Sequence, residues 1–248
     1  MGRITETVKH LIIINVIFYI GSQIVGNQAF ESLSIWFPEN DNFKIWQIFT
    51  HMFMHSKTFF FHILMNMFGL YMFGSPLEQM WGRNKFLFFY FSAGLGAVLL
   101  PLLINYYQFN SIINELAITE FSKVEIMSIL NDGNYSTSWA KTIGEDNLIK
   151  LLQIFNGSSL GASGCIMGLV AAFGVSFPNA KLALIFLPIP IKAKIFIPIL
   201  IAYEIISGFM GGSSIFGVNV AHFAHVGGAL IGFLIAWYWK QNQFKRWN

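Results

Sequence analysis

Ser163 stands in the run Gly161-Ala162-Ser163-Gly164 at the start of an apolar stretch, and His225 follows Ala224 inside another, with Gly228 and Gly232 behind it. A hydroxyl and an imidazole are the parts of nucleophilic catalysis: one attacks, the other takes its proton. His62 and Asn66 lie four residues apart, on one helical face of a third apolar stretch. Both side chains can donate a hydrogen bond to an oxyanion. A nucleophile, a base and two donors are what acyl transfer requires. Each group also has a plainer reading. A serine at a helix start bonds back to its own backbone, and histidine or asparagine joins packed helices by hydrogen bonds.

The elements that must position these groups are membrane spans. The chain has 248 residues, 55% hydrophobic, 17% aromatic and 11% charged. Soluble domains carry about 25% charged residues. Six apolar stretches predict transmembrane helices: Ile12–Val25, Phe59–Phe73, Phe86–Ile104, Leu160–Phe177, Ile195–Met210 and Val220–Trp239. The fold class expected is all-α, a polytopic six-helix bundle. No clean small-x-small cleavage site follows the first stretch, so it reads as a span rather than a signal peptide. With both termini on one side, that side holds ten lysines and arginines, Arg3, Lys9, Arg83 and Lys85 among them, against five on the other. The bias puts the termini in the cytoplasm, with a bacterial inner membrane as the expected location.

The chain reads as a single membrane domain over 1–248 with a long external loop at about 106–159. The loop is polar, carries helical patterning around Ile112–Leu130 and Leu148–Phe155, and contains the turn signal Asn131-Asp132-Gly133-Asn134. It reads as a cap over the membrane core. On the other side, Pro178–Lys194 with Pro188-Ile189-Pro190 predicts a rigid extended turn.

The remaining polar groups point elsewhere. His51 and His55 are expected at the interface before the second span, and His222 near the mouth of the site, each structural or water-facing. No carboxylate is spaced with these histidines as a metal ligand, so neither metal nor cofactor is expected. The lone Cys165 excludes an internal disulfide and reads as a small buried hydrophobe. Basic residues are scattered, which excludes a nucleic-acid surface. Glu204 lies within the fifth span, where a carboxylate calls for a partner or water.

Taken together, Gly161-Ala162-Ser163-Gly164, Ala224-His225-Val226-Gly227-Gly228 with Gly232, His62-x-x-x-Asn66 and Gly74-x-x-x-Glu78 resemble the rhomboid family of intramembrane serine proteases. The resemblance covers all six spans. It implies a Ser–His dyad without an acidic third member, Ser163 as nucleophile and His225 as general base. His62, Asn66 and the Ser163 backbone N–H would form the oxyanion hole. Substrates would be membrane-anchored proteins cut within or beside a transmembrane helix. Two positions depart from the family pattern. Trp46 is followed by Gln47 rather than arginine, so the first external loop lacks the family's arginine anchor. Met167 replaces an aromatic four residues after the serine.

Two other readings compete. A catalytically silent rhomboid-like protein that binds membrane clients would typically lack the serine or the histidine; this chain keeps both. A small transporter would show paired broken helices in two related halves, and no such symmetry appears.

Overall fold

Long aliphatic and aromatic runs with few internal breakers make helices of all six predicted stretches. The computed structural model describes residues 3–118, 121–184, 187–210, 214–215, 218–219 and 221–242. We label the principal helices α1 (Glu6–Val25), α2 (Phe60–Trp81), α3 (Arg83–Ala117), α4 (Ser163–Ser176), α5 (Ala193–Phe209) and α6 (His222–Asn242). The first three are long and apolar enough to cross a membrane by length and composition. α4 is equally apolar but has only 14 residues. The sixth predicted span begins at Val220, which lies outside the described residues.

The bundle is organised around α4. All ten of its residues from Gly164 to Phe173 are buried, the mark of a helix surrounded on every side. Small residues let α3 and α6 approach it to backbone contact. A Cβ placed on Gly168 would strike Ala93 of α3, and one on Gly232 would lie 2.5 Å from Gly168 Cα. Close approach through small residues is how membrane helices associate when no hydrophobic effect drives them together.

α2 is not uniform. Its middle turn, Leu70–Gly74, is π-helical, between α-helical Phe60–Gly69 and Ser75–Trp81. Near its end the Glu78 carboxylate accepts from the backbone N–H groups of Thr7 and Val8, each at 3.0 Å, and from the Thr5 hydroxyl. These orphan donors belong to the start of α1, where a negative charge also meets the positive end of the helix dipole. Glu78 therefore staples α1 to α2.

α3 overruns its predicted end at Ile104 by 13 residues, to Ala117. Nothing in 105–117 breaks a helix, and its last turns bury Phe109, Ile112, Ile113 and Leu116. This overhang is the base for the helices that follow it. Helices Lys123–Asn131, Trp139–Ile143 and Glu145–Asn156 fold onto it around their own apolar cluster, centred on Trp139, Leu151 and Phe155. The first opens with a Ser122/Glu125 capping box. It closes at Gly133 (φ 75°), where the Asn134 N–H returns to the Ile129 carbonyl at 3.0 Å. In the stretch predicted as an extended turn, Pro178–Lys194, Lys181–Leu184 pairs antiparallel with Leu187–Lys192, Lys181 opposite Lys192.

Candidate active site

The start of α4 is set by its approach segment. Ser158–Ser159 pairs antiparallel with Ile35–Trp36 of the first external loop. Two residues on, Gly161 takes φ 127°, a conformation that suits only glycine, and its N–H donates to the His51 carbonyl at 2.9 Å. The helix then begins at Ser163. At helical rise its 14 residues span about 21 Å, less than the ~30 Å hydrocarbon core. The chain reaches it through the short strand Ser158–Ser159 and the turn at Gly161. Irregular backbone within a membrane is tolerated only where it lines protein or a cavity. A cavity of about 270 Å³ lies there, bordered by Trp36, His51, Val98, Gly161 and Ser163.

Ser163 Oγ lies 2.9 Å from His225 Nε2. The two residues come from α4 and α6, whose small residues bring the helices together. In this arrangement Nε2 accepts the hydroxyl proton and Nδ1 carries the ring hydrogen. The first-turn amides of α4, including that of Ser163, have no intrahelical carbonyl to bond.

His62 stands beside the pair. Its Nδ1 accepts from the Ser56 N–H at 3.1 Å, which leaves the ring hydrogen on Nε2. A Cβ on Gly161 would lie 3.2 Å from that Nε2 and 3.6 Å from Ser163 Oγ. Glycine at 161 thus leaves a gap between ring and hydroxyl. Asn66 lies one turn along α2, and its amide donates to the His62 carbonyl at 2.6 Å. One amide hydrogen remains for another acceptor.

Two further groups adjoin the pair. Glu204 Oε2 lies 2.7 Å from His222 Nδ1 and 3.1 Å from His225 Nδ1. The resemblance implies no acidic neighbour; this carboxylate is one. His222, expected near the mouth of the site, is 3% exposed. The signal for both is in the sequence. A carboxylate in an apolar span needs a partner, and the histidines that open the next span are nearest in depth.

The first external loop is anchored in spite of Gln47. That side chain is fully buried, donates to the Asn42 carbonyl at 2.8 Å and the Glu31 carbonyl at 3.2 Å, and accepts from the Lys44 N–H at 3.1 Å. Trp46 Nε1 adds a bond to the Ser32 carbonyl at 2.9 Å. The amide takes the place of the missing arginine in its own way: it donates to carbonyls and accepts from an N–H, and an arginine has no acceptor for the second. Met167 is buried beside Ala171 and Ala229.

His51 and His55, expected at the interface, are buried at 5% and 0% exposure. Burial lowers both pKa values to about 4, against the pull of backbone carbonyls toward the charged form; the nearby His62 lowers that of His55 further. In the unfolded chain each titrates near 6.5. Between these values the unfolded chain binds more protons, so stability rises with pH. It is whole above about 6.5 and declines as pH falls to 4, by roughly 3 kcal/mol per histidine at 1.36 kcal/mol per unit. Melting followed in detergent across this range is expected to show that slope. Replacing both residues with asparagine should lessen it; an unchanged slope would assign it to other groups.

Comparison with known proteins gives concordant matches. The family model described as Rhomboid domain matches residues 42–242. Rhomboid protein 1, mitochondrial, of Saccharomyces cerevisiae is 25% identical over 72% of this chain and 38% of its own length. Presenilin-associated rhomboid-like protein A, mitochondrial, of Danio rerio is 29% identical over 71% of this chain and 33% of its own. The human Presenilin-associated rhomboid-like protein, mitochondrial, is 29% identical over 72% and 33%. The chain thus spans roughly a third of the length of these relatives. The match begins after α1, which lies outside it.

Proposed function

Because the chain belongs to the rhomboid family, we propose that it is an intramembrane serine endopeptidase, cleaving membrane-anchored proteins within or beside a transmembrane helix. The observation that carries this reading is the 2.9 Å approach of Ser163 Oγ to His225 Nε2 at the foot of a cavity. A silent client-binding relative has no use for that contact.

The reaction runs in two steps. Ser163 Oγ attacks the scissile carbonyl carbon as its proton passes to His225 Nε2, and the C=O π pair moves onto the oxygen. His62 Nε2–H, Asn66 and the amide of Ser163 receive that oxyanion. The C–N bond breaks, the amine leaves with the proton from His225, and an acyl-enzyme remains. Water, deprotonated by the same ring, then attacks the ester and restores the hydroxyl. The cavity supplies a path for that water. A substrate helix must open its hydrogen bonds to present the scissile peptide, so a helix-weakening sequence near the cut is favoured.

The charge bias orients the chain with its termini on the more positive side, and the site then opens toward the opposite face. The named relatives are mitochondrial, so the compartment is not carried over from the bacterial expectation. The helical layer at 106–159 is read as part of one membrane domain.

The deciding experiment is cleavage of a model single-span substrate in proteoliposomes, repeated with Ser163→Ala. Loss of cleavage supports the proposal; undiminished cleavage ends it. In the same assay Asn66→Ala should slow kcat by about 10²–10³, the worth of one oxyanion donor. A loss as complete as that of the serine variant would make Asn66 structural instead.

A further inference from the structure

Glu204 is a buried carboxylate that the two-step scheme leaves unused. It sits on the packed face of α5 with Ala193, Ile197 and Ser207, while Tyr203, Ile205 and Ile206 on the other sides are exposed. α5 therefore aims it into the bundle rather than at lipid. One oxygen, Oε2, meets both Nδ1 of His222 at 2.7 Å and Nδ1 of His225 at 3.1 Å. The first contact is a hydrogen bond. The second is close but not aligned as one, and among the described residues His225 Nδ1 has no other polar partner. Catalytic hydrogen bonds are often slack before substrate binds and tighten afterwards.

We propose that Glu204 is a positioning residue for His225, making the pair a Ser163–His225–Glu204 line, with His222 holding the carboxylate in place. This rests on the protease reading of the same site. For His225 to take the Ser163 proton, Nε2 must be bare, and so Nδ1 must bear the hydrogen. A carboxylate facing Nδ1 favours that tautomer. When the hydroxyl proton reaches Nε2, the ring becomes an imidazolium, and the Glu204 charge opposes it at 3.1 Å. Glu204 stays ionised throughout; no proton is transferred to it. His222 donates its own Nδ1–H to the same oxygen, which leaves the carboxylate little freedom to rotate away. Tyr203 packs edge-on against the His222 ring at 6.2 Å between centroids and supports it from α5.

The alternative role is plain adhesion between α5 and α6, and the test must separate the two. The full chain in proteoliposomes is given the single-span substrate, and kcat and KM are measured apart for wild type, Ser163→Ala, Glu204→Gln and Glu204→Asp. Glu204→Gln keeps the side-chain volume but removes the charge, and the new amide can present a donor to Nδ1, forcing the wrong tautomer. In serine proteases the corresponding change lowers kcat by about 10⁴. We expect Glu204→Gln to lower kcat by at least about 10², leave KM within about twofold, and keep the melting temperature close to wild type. Glu204→Asp, which restores the charge, should recover at least about tenfold of that loss. If Glu204→Gln does not fold, the Asp variant decides: a fall in kcat of more than about threefold at unchanged KM and melting temperature supports the role, because the shorter carboxylate stands farther from Nδ1, and kcat within about threefold of wild type overturns it. Glu204→Gln with kcat within about threefold of wild type, or a loss confined to KM, also overturns it. Failure of the underlying reading looks different. There Ser163→Ala cleaves like wild type, and the proposal falls with it.

Discussion

Ser163→Ala is expected to bring proteolysis of a single-span substrate below detection while the helical bundle stays intact. The change removes one oxygen from a partly buried position, so the packing of α4 is unaffected. What is lost is the atom that bonds to the substrate. In serine proteases, losing the nucleophile or its base alone costs about as much as losing both, roughly 10⁶ in kcat. His225→Ala should therefore be as inactive as Ser163→Ala, and the double variant no worse than either. A sum of two independent losses would mean that the hydroxyl and the imidazole do not act as one unit, despite the 2.9 Å between them. Binding of the uncleaved substrate should survive in Ser163→Ala, since the cavity wall is otherwise unchanged. That variant is the one to use for trapping substrates.

The second large effect is expected from a residue with no chemistry. A Cβ on Gly228 would run into the Gly164 carbonyl oxygen and sit 2.8 Å from the Gly164 carbonyl carbon. Backbone cannot rotate aside as a side chain does, so α4 and α6 must part. Overpacking of this kind costs typically about 1–3 kcal/mol. The catalytic cost is greater, because Gly164 follows the nucleophile directly and Gly228 lies one turn after His225. A displacement of about 1 Å between reacting groups can cost about 10² in rate. Gly228→Ala is thus expected to lower kcat by about 10² and to lower the melting temperature by several degrees. Gly21→Ala is the control: beyond the backbone of its own helix turns, no atom of the described residues lies within 4 Å of its Cβ position, so both quantities should hold. If Gly228→Ala melts and cleaves like wild type, the close helix approach is not what sets the Ser163–His225 distance.

Much of the site is legible one residue at a time. Ser163, His225, His62 and Asn66 are polar groups in apolar runs, and the glycines behind them mark where helices come close. Gln47 misleads because its type departs from a familiar pattern. Only the folded loop reveals that an amide meets the backbone groups of Asn42, Glu31 and Lys44 at once. The end of α3 falls later than predicted for a different reason. A span length is the wrong limit for a helix whose continuation packs against the helices that follow it.

Local composition and spacing alone determine that this chain makes apolar helices, and which of their residues are polar enough to need a reason. Those properties are carried by each segment on its own. Contacts between segments are not. That Glu204 of α5 meets His222 and His225 of α6, that Glu78 of α2 caps α1, and that the approach to Ser163 is tied to Ile35–Trp36 depend on how helices cross and at what depth they start. Those quantities are set by backbone-to-backbone packing at glycines far apart in the chain, and they exist only once the bundle has closed.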